Sequence, residues 1–157
     1  MNCKAVMCNE KMERDKTLYL TRRRNDREGK SEMHENAIAE IVVDACFKVH
    51  TTLGPGLLES VYEAALAQEL KKRGLSVTRQ QIVPITYEGM TLDEGFRADL
   101  VVEGKVIIEL KSVEQIVPVH KKQLLTYLRL ADKKLGFLVN FGANLIKDGI
   151  TRIANGI

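Results

Sequence analysis

Residues 97–112, Arg-Ala-Asp-Leu-Val-Val-Glu-Gly-Lys-Val-Ile-Ile-Glu-Leu-Lys-Ser, constrain the fold more than any other stretch. Two aliphatic runs flank Glu103-Gly104, a turn signal, so they read as paired strands. The second run, Val106-Ile107-Ile108, leads straight into Glu109, and Lys111 follows two residues later. Charged groups are rarely buried unless they are paired or bind a metal. Leu110 between them indicates that the strand is still packed there.

The loop between the runs decides which side chains meet. A two-residue loop at Glu103-Gly104 places Asp99 opposite Ile108 and sends Glu109 to the other face. An odd loop, Val102-Glu103-Gly104 with Gly104 left-handed, places Asp99 opposite Ile107 and makes Glu109 its diagonal neighbour. The odd loop is expected, because it brings the two carboxylates together. Two adjacent carboxylates repel and raise one pKa unless a cation lies between them. Hard oxygen ligands without Cys or His suit Mg²⁺ or Mn²⁺. Lys111 shares a face with Glu109, where an ammonium can balance charge, orient a water or stabilise a phosphorane-like transition state. The plainer alternative is a Lys–Glu ion pair on a solvated face.

At 157 residues, 45% hydrophobic and 29% charged, the chain suits one soluble globular domain. It has no apolar run near the roughly 18 residues of a membrane span and no apolar signal-peptide core. Its three cysteines are an odd number, which argues for free thiols and a cytoplasmic setting. Cys3, Cys8 and His34 fit no zinc-site spacing. Residues 1–30 carry nine Lys/Arg against five Asp/Glu, and the rest fifteen against sixteen, so the body is near neutral at −1. Residues 1–34, including the Arg22–Arg27 cluster, are expected to be a basic, poorly ordered extension, and 35–157 the folded domain.

Ile38, Ile41, Val42, Ala45, Cys46 and Val49 recur at helical spacing and predict a helix over 35–53, ended by Gly54-Pro55-Gly56. His50 falls near its end, as a dipole-compensating or core-edge residue. A second helix is expected over 57–73, with Gly74 as its stop. Strands are expected at 75–79, 81–87, 95–102 and 105–112. A third helix starts near Pro118 and runs to about 132, and 135–141 reads as a buried strand. Residues 146–155 read as a closing strand or a short helix. The order α-α-β-β-β-β-α-β makes this an α/β protein, with a central mixed sheet flanked by helices.

Glu59 falls on the stripe of Tyr62, Leu66 and Leu70, which otherwise looks inward, and so is a candidate third carboxylate, with Glu63 beside it. A first-turn Glu also stabilises a helix N-terminus by about 0.3–1 kcal/mol, which explains an exposed Glu rather than an inward one. His120, Gln123 and Tyr127 share a face of the third helix. Gln and Tyr donors there can hold a phosphate or a metal-bound water, with His120 at the rim.

These residues together resemble a known family. Gly56, Glu59 and Tyr62 form a G-x-x-E-x-x-Y motif, and the 95–102 and 106–113 segments resemble the acidic core of the PD-(D/E)XK nucleases. Gln123 and Tyr127 resemble the Q-x-x-x-Y helix of that superfamily's exonuclease-like branch. The combination resembles the GxxExxY protein family over about 35–157. The resemblance implies a restriction-endonuclease-like core and a Mg²⁺-dependent nuclease, with Mn²⁺ as substitute, hydrolysing DNA in defence or repair. It implies Asp99, Glu109 and Glu59, with the Leu110 carbonyl, as metal ligands and Lys111 as the catalytic lysine. Gln123, Tyr127 and His120 would position substrate. Ala98 stands where the superfamily signature has Pro. The competing expectation is a non-catalytic module on the same scaffold that binds nucleic acid or a protein partner. Its motive is the near-neutral body, which grips a phosphate backbone weakly. Under either reading the sequence leaves the oligomeric state open, a dimer included.

Overall fold

A computed structural model describes residues 33–156. The basic extension expected at 1–34, with Cys3, Cys8 and the Arg22–Arg27 cluster, lies outside the described residues but for its last two positions. Helix α1 (Glu35–Leu53) and helix α2 (Glu59–Lys72) precede strands β1 (Val77–Tyr87), β2 (Met90–Val102) and β3 (Val106–Lys111). Helix α3 (Pro118–Leu130), strand β4 (Leu135–Asn140), the short helix α4 (Ile146–Gly149) and strand β5 (Ile150–Ala154) complete the unit. No helix among the described residues is long and apolar enough to cross a membrane.

The five strands form one sheet in the order β1-β2-β3-β4-β5. Only β3 and β4 are parallel; the other neighbours are antiparallel. A parallel pair needs a crossover connection, and α3 supplies it. β4 is buried throughout and β3 over its first five residues, as expected for strands covered on both faces.

Helices cover both faces. Leu124 and Leu128 of α3 join Val101, Ile107 and Leu138 in one buried cluster. Each fully buried leucine contributes about 1.5–3 kcal/mol. Gly136 admits the helix closely, since a Cβ there would lie 3.2 Å from Leu124 and from Leu128. Phe137, next along and facing the other way, lines a groove with Ala39, Val43 and Phe47 of α1. Beside it, Tyr62 of α2 stacks on Phe141 at 4.5 Å between ring centroids.

Three expectations are corrected. The segments expected at 75–79 and 81–87 merge into one strand that begins at Val77: Gln80, with φ 50°, distorts β1 without ending it. Residues 90–94 belong to β2, since the Glu88-Gly89 turn lets them fold back on 85–87. Residues 146–155 hold both candidate elements, first the helical turn and then the strand.

Candidate functional site

The β2–β3 loop is odd, and its residues are Glu103, Gly104 and Lys105 rather than 102–104. Val102 pairs with Val106 and Leu100 with Ile108. Two consecutive left-handed residues, Glu103 (φ 50°) and Gly104 (φ 64°), reverse the chain, and Lys105 N–H donates to the Val102 carbonyl. This register, continued by one residue, sets Asp99 directly across from Glu109 rather than across from Ile107. The regular ladder stops there, and the Asp99 carboxylate accepts the Leu110 N–H at 2.8 Å.

Glu109 is 6% exposed. Its Oε1 accepts from Lys111 Nζ at 2.9 Å, whereas its Oε2 is buried without a hydrogen-bond partner. An orphaned carboxylate oxygen is costly, about 1–3 kcal/mol or more. Burial, and then the charge of Asp99, push the Glu109 carboxyl above its ordinary range. Burial also raises Asp99, against the pull of the Leu110 N–H and Lys111. Burial alone would lower Lys111, but the bond to Glu109 and the charges of Glu109, Glu59 and Asp99 outweigh it and raise the ammonium's pKa. The three groups form one electrostatic unit with a net excess of negative charge.

Glu59 reaches this unit from the start of α2, accepting the Ser112 N–H at 3.1 Å, while Ser112 Oγ donates to the Leu57 carbonyl. Contrary to the inward stripe expected, Glu59 is exposed; Tyr62, Leu66 and Leu70 are buried below it. As the first helical residue it overhangs the end of β3 instead of facing the core. The buried carboxylate of α2 is Glu63, 6% exposed. Its two oxygens accept from Arg79 Nε and Gln80 Nε2. The same Gln80 Nε2 contacts Asp99 Oδ1 at 3.3 Å, so β1 links Glu63 to the acidic pair. Sequence reasoning placed Glu63 beside the site and missed Arg79 and Gln80. The polar run Thr78-Arg79-Gln80-Gln81 was the available signal.

The other motif residues have definite surroundings. Tyr62 OH donates to the Gly54 carbonyl at 2.6 Å and accepts the Leu57 N–H, so the tyrosine of G-x-x-E-x-x-Y holds the turn that launches α2. On α3, Gln123 Nε2 donates to Tyr127 OH, and the Tyr127 ring stacks on Phe96 at 3.8 Å. Neither is hydrogen-bonded to Asp99, Glu109 or Lys111. His120 caps its own helix, its Nδ1 accepting the Val117 N–H. His50 is a core-edge residue whose Nε2 bonds the Ala143 carbonyl at 2.9 Å.

Asn140, at the end of β4, fixes the backbone just past Lys111. Its Oδ1 accepts from Val113 N–H and Gly142 N–H, and its Nδ2 donates to the Val113 carbonyl. Phe141 N–H adds a bond to the Lys111 carbonyl at 2.8 Å.

Among the described residues no group of three or more His, Cys, Asp or Glu is arranged to hold a metal ion. The acids present are a pair, Asp99 and Glu109, with Glu59 engaged on backbone beside them. The pair still fits a divalent cation chemically. Its ligands are hard carboxylate oxygens, both groups resist ionisation, and Glu109 Oε2 has nothing else to bind.

A sequence model of the PD-(D/E)XK nuclease superfamily matches residues 36–153. Searches of curated proteins and of solved structures gave no significant match.

Proposed function

The chain belongs to the PD-(D/E)XK nuclease superfamily, and on that premise we propose that it hydrolyses DNA phosphodiester bonds with Mg²⁺, in the manner of the GxxExxY group it resembles. Members of the superfamily typically use divalent metal ions, and a nucleic acid is the substrate the family implies. The observation that carries the reading is the side-by-side Asp99 and Glu109, with an unpartnered buried oxygen and Lys111 within hydrogen-bond reach.

Asp99, Glu109 and the Leu110 carbonyl would hold the metal, and Glu59 would join on release from Ser112. A bound divalent ion lowers the pKa of coordinated water and neutralises charge developing on a phosphate. Lys111, kept protonated by its acidic neighbours, orients the attacking water and shares the negative charge of the transition state. Gln123 and Tyr127, held rigid by their mutual bond and the Phe96 stack, position the backbone beyond the scissile bond, with His120 at the rim.

The test incubates the protein with linear duplex, single-stranded and supercoiled DNA and with RNA, in Mg²⁺, Mn²⁺ or EDTA. Cleavage that needs the cation and disappears in a folded Lys111→Ala variant is expected. Unchanged cleavage by that variant refutes the lysine's role. A second reading, a binding module without catalysis, is favoured by the near-neutral body and by the absence of a three-acid cluster among the described residues. Calorimetry of Mg²⁺ binding to the wild type and to Asp99→Asn separates the two. Binding lost in the variant supports the enzyme, and no binding with or without nucleic acid supports the module.

A further inference from the structure

The nuclease reading leaves β1 without a task, although β1 spends two polar side chains on a buried carboxylate next to the acidic pair. Glu63 is a costly residue to bury. Its burial is made tolerable by Arg79 Nε at 2.7 Å and by the Gln80 amide. The Arg79 side chain is nevertheless 45% exposed. Among the described residues its sole polar partner is Glu63, bonded through Nε, so both terminal guanidinium nitrogens are uncommitted. Gln80 holds a left-handed backbone, φ 50°, inside a strand. A non-glycine residue there costs about 1–3 kcal/mol, and the conformation coincides with an amide that bridges Glu63 and Asp99. The result is a guanidinium anchored at one end, open at the other, and three hydrogen bonds from Asp99 through Glu63 and Gln80.

We propose that Arg79 is a phosphate clamp: its free guanidinium edge binds a backbone phosphate of the nucleic acid next to the one at Asp99 and Glu109, and Glu63 with Gln80 holds it in place. Arginine suits this role because its planar fork donates two hydrogen bonds to a phosphate while Nε stays occupied. Anchoring removes much of the side-chain entropy cost of binding before the substrate arrives. The clamp also answers the electrostatic difficulty of a near-neutral body, since it sets one cation where the excess of carboxylates would otherwise repel a phosphate. A tie between α2 and β1 alone would account for Glu63 but would not need an exposed guanidinium with its donors free.

The assignment rests on the nuclease reading, and the test keeps the two apart. The affinity of the full chain for a labelled 20-nucleotide duplex is measured by anisotropy against salt, in Ca²⁺ and in EDTA. Arg79→Gln removes the charge while its amide still donates to Glu63. Loss of one phosphate contact lowers the slope of log affinity against log salt by about 0.9. A fourfold rise in salt therefore costs the variant about 3.5-fold less affinity than it costs the wild type. Glu63→Gln keeps the charge but loosens its anchor, so the slope stays at the wild-type value while affinity at fixed salt falls. An Arg79→Gln variant that is folded by circular dichroism and keeps the wild-type slope overturns the clamp alone. A wild type that binds no nucleic acid in either buffer overturns the clamp and the nuclease reading together.

Discussion

Replacing Lys111 with Met keeps the length and the apolar stem of the side chain and deletes its charge. Glu109 then loses the partner of Oε1 while Oε2 already has none, leaving a carboxylate 6% exposed with no hydrogen bond. Removing one partner of a buried pair costs about 3–5 kcal/mol when the remaining charge must stay ionised. Glu109 has an escape: it can take up a proton. From its ordinary value of 4.5, neutralisation at pH 7 costs at most 2.5 pH units at about 1.36 kcal/mol each, or about 3.4 kcal/mol. The ceiling falls to about 1.4 kcal/mol at pH 5.5. The sign follows from linkage. A carboxyl whose folded pKa is raised contributes stability that is fully present below the unfolded value and is lost as pH rises through the folded one. The variant's deficit must therefore grow from pH 5.5 to pH 7. Urea denaturation in EDTA measures it, and a melting point lowered by roughly 6–12 °C at pH 7 corresponds to about 3 kcal/mol in a chain of this size. Adding Glu109→Gln should recover most of the loss. A deficit equal at both pH values, or no recovery in the double variant, would refute the buried-pair account.

Three further outcomes are expected. Asn140→Ala strips Val113 and Gly142 of three hydrogen bonds in a buried setting and should cost about 2–3 kcal/mol in urea denaturation, a loss under 0.5 kcal/mol counting against it. Tyr62→Phe preserves the stack on Phe141 but frees the Gly54 carbonyl and the Leu57 N–H, so stability should fall by about 1–2 kcal/mol, with faster amide exchange at Leu57 as the local signature. Gln80→Gly relieves the left-handed backbone and removes the bridge to Asp99. It should leave the melting point within about 3 °C of wild type, the gain offsetting the loss, while weakening Mg²⁺ binding in calorimetry.

Much of the domain was legible because its periodicities are strong. The helix over 35–53 and the apolar strands at 106–111 and 135–140 follow from side chains that have to be buried. The odd hairpin loop was readable from the need to unite two carboxylates, but its centre was not. Glu103 accepts a left-handed conformation that residue preferences assign to Gly104 alone, and the loop centre moves by one residue, which shifts Asp99's partner by two, from Ile107 to Glu109. Glu59 misled because a helical wheel records direction and not position along the axis. At the helix start the inward stripe already lies beyond the core, and the burial passes to Glu63. Arg79 and Gln80 were hidden for a different reason. β1 is an exposed edge strand with little hydrophobic alternation, so its polar run over 78–81 marks the segment without distinguishing the side chains that face solvent from those that face Glu63.

The parallel β3–β4 pair has a consequence for how the chain is made. β3 is complete at Lys111, but its partner on one side, β4, ends at Asn140, about thirty residues later. At roughly 5–20 residues per second, a ribosome leaves that edge of β3 unpaired for on the order of 1–6 seconds. During that interval the nascent chain presents Val106-Ile107-Ile108, a short β-branched run with an open ladder, to any similar strand nearby. Glu109 and Lys111 close that run with charge on both sides of Leu110. The residues that carry the proposed chemistry therefore also act as gatekeepers against self-association of unfinished chains.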